Sequence, residues 1–203
     1  MSNDGQDITL WESFRNGDKE AFSLLFRRHY ESLVRYGSKF TANTEVLEDS
    51  IQELFIELWQ AKSRTPVLSV RAYLLKALKY KLLKKYDRMQ DTVPLKEDEG
   101  GFEWSPESSL IARQDSDEKE KIVTVALNGL SHRQKEIIYL KYYQNLSYEE
   151  VSDIMNINYQ AARNLLYQAI KALRSRLPGS LELIFFLFAG SQHYIFHGFG
   201  TFC

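Results

Sequence analysis

Cysteine is nearly missing from this 203-residue sequence: there is one, Cys203, at the last position. A lone thiol forms no disulfide within its own chain, which excludes a disulfide-stapled secreted scaffold and fits a reducing compartment. Proline is scarce too, with four in all, and Pro66, Pro94, Pro106 and Pro178 fall at breaks between periodic segments. There is no glycine-rich phosphate loop, no nucleophile–base pair and no cluster of metal ligands, so neither enzymatic chemistry nor a cofactor is expected. The start, Met-Ser-Asn-Asp-Gly-Gln-Asp, is acidic and polar, so no secretory signal is expected and the reading is cytoplasmic. The apolar run Leu181–Ala189, broken by Glu182, is well short of the roughly 20 residues that span a bilayer.

An excess of positive charge is also lacking, since the formal net charge is −1. Many nucleic-acid binders are basic, but the distribution counts for more than the sum. Lys and Arg crowd into 71–88 and 163–176, while acid collects in 45–57 and 91–120. Segregated charge lets one part of a chain meet phosphate and another meet a basic protein.

The stretch Leu146–Leu177 has the most pattern. Ser147 and Glu150 form the Ser-x-x-Glu pair that satisfies two free N–H groups at a helix start. Asn156 suits the left-handed residue that ends that helix, and Asn158 suits the cap of the next. In the second helix Ala162, Leu166, Ala169, Ile170, Leu173 and Leu177 form a core stripe. Gln160, Arg163, Asn164, Tyr167 and Lys171 fall on the other side, which holds no acid. This pattern fits a helix-turn-helix whose second helix enters the DNA major groove, where Arg, Gln and Asn read G and A edges. The same residues also fit an ordinary helical hairpin with a solvated face, and the stretch alone leaves both open.

Upstream, Asp18 caps a long amphipathic helix carrying Phe22, Leu25, Phe26, His29, Leu33 and Tyr36; His29 reads as a packed core residue. A second helix, from about Glu45 to Ala61, has a core stripe of Leu47, Ile51, Leu54, Phe55 and Leu58. Asp49, Gln52, Glu53, Ile56 and Gln60 share another face, with Trp59 nearby, as on a partner-binding surface with an aromatic anchor. A loop over 62–69 leads to Ser69 as the cap of a helix from Val70 to Asp87. There Tyr73, Lys76, Tyr80 and Lys84 align, with Lys79 beside them; rings between ammonium groups suit unpaired bases and phosphate. Tyrosines covering their own apolar surroundings remain an equal reading. Asp91–Glu120 reads as a linker, and Ser131 to Gln134 opens another helix.

The fold class expected is all-α: two small helical domains, 18–90 and 122–178, the second with the helix-turn-helix, joined by a flexible acidic linker over 91–121. An N-terminal segment covers 1–17 and an apolar tail 179–203.

Three segments then carry a resemblance. Glu48–Trp59 is similar to the signature Asp-x-x-Gln-Glu-x-Phe-x-x-x-Trp, Val70–Tyr80 follows at the expected offset, and Leu130–Ile138 leads into the helix-turn-helix. Together they resemble the extracytoplasmic-function sigma factors of bacterial RNA polymerase. The resemblance implies that Asp49, Gln52, Glu53, Phe55 and Trp59 grip the β′ clamp of the polymerase core. It implies that the 62–69 loop with Arg64, and the face of Tyr73, Lys76, Lys79, Tyr80 and Lys84, open the minus-ten element of promoter DNA and hold a non-template base. It implies that Gln160, Arg163 and Asn164, with Tyr148, Tyr159 and Tyr167 around them, read the minus-thirty-five element. It also implies an anti-sigma partner. Departures are visible: Tyr80 stands where relatives often have Asn, Asn156 replaces a usual Gly, Ser152 a usual Ala, and Gln160-Ala161-Ala162 a typical Gly-Thr-Val. The tail lies outside the resemblance, and fold-back, an anti-sigma contact or a membrane surface are its three readings. A metal site from His193, His197 and Cys203 is set aside. The competing function is a two-domain helix-turn-helix regulator that replaces no sigma factor. Such a regulator has no use for the 48–59 face.

Overall fold

The computed structural model describes residues 4–61, 67–90, 101–104 and 117–177. Among these there are eight α-helices and no strand: α1 (Asp4–Arg15), α2 (Lys19–Gly37), α3 (Thr44–Ala61), α4 (Val70–Gln90), α5 (Asp117–Asn128), α6 (His132–Ile138), α7 (Tyr148–Met155) and α8 (Tyr159–Arg174). A π-helical turn, Tyr139–Tyr143, extends α6.

Local chemistry sets most of the boundaries. Asp18 accepts the N–H groups of Glu20 and Ala21 at 2.8 and 3.1 Å and so starts α2. Gly17, at φ 96°, supplies the corner before it. Asn43 receives the N–H of Val46 at 3.1 Å, and Ser69 that of Ala72 at 3.2 Å. Ser131 and Ser147 each form a complete capping box, with Gln134 and Glu150. These capping roles of Asp18, Ser69, Ser131 and Ser147 agree with the sequence reading.

Helices α2, α3 and α4 bury Leu25, Leu33, Ile51, Leu54, Leu74, Leu75 and Leu78 against one another. Helix α1 lies across α2 and α4 and was not foreseen; the sequence reading left 1–17 as a bare segment. Its Trp11 and Phe14 are 2% and 1% exposed, one turn apart. Trp11 meets Tyr73 edge-on at 5.2 Å, and Phe14 contacts Phe22 and Trp59. Burying such a ring stabilises by roughly 1.5–3 kcal/mol. In the second half, α6 packs on α8 and α7 on α8, closing a core of Leu127, Ile137, Leu140, Val151, Ile154, Ala162, Leu166 and Leu173.

The two halves touch. Helix α4 packs along α7, and residues 101–104 run between α2 and α6. A flexible acidic linker over 91–121 is therefore corrected at its centre: Phe102 is fully buried, because Tyr36, Phe40 and Tyr139 surround it with rings at 5.4–6.2 Å. The rest of that linker and the tail 179–203 lie largely or wholly outside the described residues. Among the described residues no helix is long and apolar enough to cross a membrane, and no group of His, Cys, Asp and Glu could hold a metal.

Candidate nucleic-acid interface

The turn between α7 and α8 is built from three residues. Asn156 adopts the left-handed conformation at φ 51° and ψ 47°. Its side chain type tolerates this better than any except Gly. Asn158 then accepts the N–H of Ala161 at 2.7 Å and starts α8. Between them Ile157 is half-buried against the core. This geometry fixes the direction of α8 and hence what its outer face presents.

That face is open. Gln160, Arg163, Asn164 and Tyr167 are all exposed, Tyr167 to 70%. Gln160 donates from Nε2 to Asn164 Oδ1 at 3.1 Å, which holds two exposed amides side by side. The Arg163 guanidinium sits 6.0 Å from the Tyr159 ring, and Tyr159 meets Tyr148 edge-on at 5.7 Å. Lys141 lies 4.7 Å over the Tyr148 ring. The structure thus gathers Tyr148, Tyr159, Gln160, Arg163, Asn164 and Tyr167 on and beside the outer face of α8, whose first turn holds no acid.

On α3, Asp49, Gln52, Glu53, Ile56 and Gln60 are exposed on one face, as expected. Glu53 is bound at 3.0 Å by Lys85 of α4, with Lys81 at 3.7 Å, and these cations hold its carboxyl below the usual range. Ion pairs this exposed stabilise by about 0–1 kcal/mol and exchange readily for a partner's. Two aromatics of that set lie beneath the open face, Phe55 as the core stripe of this helix predicts. Phe55 is 4% exposed because its ring fills the space between Phe22 and Phe26, so it supports the face from below. Trp59 is only half-buried, but its ring is spent largely on Phe14 and Phe22.

The α4 face is divided. Tyr80 and Lys84 are exposed. Tyr73 instead packs on Trp11, Lys76 donates to Asp153 of α7 at 2.6 Å, and Lys79 donates to both carboxylate oxygens of Glu136 at 2.8 and 2.9 Å. As a continuous open face, the set Tyr73, Lys76, Lys79, Tyr80 and Lys84 is corrected: three of its five members are occupied within the chain. Arg64 lies outside the described residues. The sequence reading missed their acceptors, Glu136 and Asp153, and the aromatic pair Phe102 and Trp104. Two rings within an acidic, proline-bearing stretch were the available signal.

Comparison with known families assigns both halves. Residues 25–91 match Sigma-70 region 2, and residues 120–173 match Sigma-70, region 4. The ECF RNA polymerase sigma-E factor of Haemophilus influenzae is 24% identical over 184 residues, covering 84% of this chain and 95% of that one. The sigma-E factor of Escherichia coli K12 is 25% identical over 190 residues, covering 87% and 97%. Among solved structures, CnrH in complex with the cytosolic domain of CnrY superposes with a TM-score of 0.56 at 19% identity, covering 83% and 95%. The sigma factor RpoE of Bartonella quintana, bound to the anti-sigma factor NepR, gives 0.53 at 20% identity, covering 76% and 95%. These two likenesses bear on the fold. Region 2 followed by region 4 in one chain marks a transcription initiation factor of the sigma-70 class. The chain belongs to the extracytoplasmic-function family of sigma factors.

Proposed function

We infer that this protein is an alternative sigma factor that joins RNA polymerase core in the cytoplasm and directs promoter recognition and melting. The observation that carries the reading is the pairing of two unlike open faces on one chain: the acid-free, amide-rich face of α8 and the acidic, isoleucine-bearing face of α3.

The division of labour follows from chemistry. Asp49, Gln52 and Glu53 meet the β′ clamp, and Glu53 exchanges Lys85 for a cation of the partner. Helix α8 enters duplex DNA at the minus-thirty-five element, where a bidentate Arg or Asn contact discriminates bases by about 1–3 kcal/mol. Tyr80 and Lys84 contact the minus-ten element together with the 62–69 loop. A ring stacked on an unpaired base contributes about 1–3 kcal/mol, which offsets part of the cost of opening the duplex. The protein carries out no bond chemistry in this scheme; it lends core enzyme its specificity.

The test is run-off transcription on genomic DNA with purified core polymerase, followed by sequencing of the start sites. Start sites sharing two spaced elements are expected. A folded protein that confers no initiation anywhere refutes the reading. A regulator that replaces no sigma factor would need the native sigma factor present before any start site appeared.

A further inference from the structure

Helix α5 buries Val123, Ala126 and Leu127 and turns Ile122 and Val125 outward, 39% and 72% exposed. Three residues apart on a helix, these two side chains are surface neighbours. Among the described residues the exposed Leu24, Ile56 and Leu68 stand singly, on α2, on α3 and just before α4. A lone apolar side chain at a surface requires no explanation, whereas an adjoining pair offers a seat to another apolar group.

The end of α8 lies against the end of this helix. A Cβ on Gly129, the residue after α5, would stand 2.7 Å from Arg176 Nε and 3.1 Å from Arg176 Cδ. Leu177 is buried, and its N–H donates to the Leu173 carbonyl at 3.2 Å, so the chain is anchored there. Beyond it come Pro178, Gly179 and Ser180, then Leu181–Ala189, apolar at every position but Glu182. Proline does not continue a helix and glycine takes either sign of φ, so these residue types let a chain turn back. The four steps from Leu177 to Leu181 reach about 13 Å. On α5, Val125 and Ile122 lie about 6 and about 10 Å from Gly129 along the helix axis. The apolar run therefore begins within reach of the open pair. Charge agrees with this: Arg174 and Arg176 are exposed at the end of α8, and Glu182 is the one acid in the run.

We propose that the apolar run Leu181–Ala189 folds back on its own chain and seats against Ile122 and Val125 of α5, with Glu182 beside Arg174 and Arg176. The run itself lies outside the described residues. The seat is α5, the tether is Leu177, and the two arginines supply the charge. Nothing in this contact depends on promoter binding.

The full chain is tested first by photo-cross-linking. Asn128, exposed at the end of α5, is replaced by benzoylphenylalanine. Irradiation at low concentration should give adducts within one chain, mapped by mass spectrometry to 181–189. Adducts that join two chains would make a second copy the occupant and overturn the proposal, as would the absence of any adduct to 181–189. Chymotrypsin supplies the second measurement, because the run is rich in the side chains it cleaves after. Ile122→Asp with Val125→Asp should speed cleavage within 181–189 about tenfold, as the covered run becomes open. Both positions are exposed, so helix content should stay unchanged; Val125→Asp alone serves if the double variant unfolds. Leu24→Asp, on the exposed side of α2, is the control and should leave the cleavage rate as it was. Cleavage indifferent to the α5 substitutions, or equally sensitive to the control, overturns the seat on α5. Wild-type protein that floats with phosphatidylcholine vesicles overturns the fold-back in favour of a bilayer surface. Failure of the sigma-factor reading would show separately, as no initiation with core polymerase.

Discussion

At the scale of single residues, the structure turns on positions where one atom more or less matters. A Cβ on Gly37 would stand 2.3 Å from Leu47 Cδ1 and 3.2 Å from Leu78 Cδ2, where α2, α3 and α4 converge. Alanine gains up to about 1 kcal/mol of helix propensity over glycine, but overpacking costs about 1–3 kcal/mol. Gly37→Ala should therefore lower the midpoint of denaturant unfolding without changing its slope. His29 offers a pH test. It is 5% exposed, with Nε2 3.1 Å from Asp7 Oδ2, and Arg28 and Arg71 also face it. Burial outweighs Asp7 and lowers its pKa from 6.5. The unfolded chain thus binds this proton more readily than the folded one. Stability from this group is full above pH 6.5 and is lost as pH falls toward the folded pKa. Thermal unfolding from pH 7.5 down to 5 should show that loss, and His29→Gln should flatten it.

At the scale of elements, legibility followed locality. Helices α2, α6, α7 and α8 could be read because their caps lie within three residues of what they cap: Asp18, Ser131, Ser147 and Asn158. Helix α1 could not, because Trp11 acquires meaning only against Tyr73, which lies far along the chain. Trp11→Ala should cost about 3–5 kcal/mol, measured by denaturant unfolding, because its ring is buried. The π-helical turn was illegible too, since Gln144 closes it with its N–H on the Tyr139 carbonyl only after burial among other groups. On the site side, the α8 face was readable because an exposed face requires no partner. The pairing of the α4 lysines was not legible, because their carboxylates lie on other elements that no periodicity reveals. Replacing Arg163 or Asn164 with Ala should change which minus-thirty-five sequences support transcription in vitro, by about 1–3 kcal/mol per lost base contact. It should leave thermal stability nearly unchanged, since both are exposed.

At the scale of the whole molecule, opposite charge is used twice, once inside the chain and once outward. The acidic α3 face remains available while the basic α4 face is partly covered. Gln52→Lys with Glu53→Lys should therefore reduce co-purification with core polymerase while leaving the covering contact between α4 and α7 intact. Retained co-purification would remove α3 from the interface. The Tyr36–Glu136 bond also spans 100 residues of chain. Closing so long a loop is slow compared with forming the helices on either side. On a ribosome, the N-terminal half thus emerges and packs with its lysines still uncompensated, and the carboxylates that quiet them arrive last. A product released early, before residue 136, would carry Lys76 and Lys79 without the Asp153 and Glu136 carboxylates that cover them. Premature termination of this chain would then leave those two lysines open to nucleic acid.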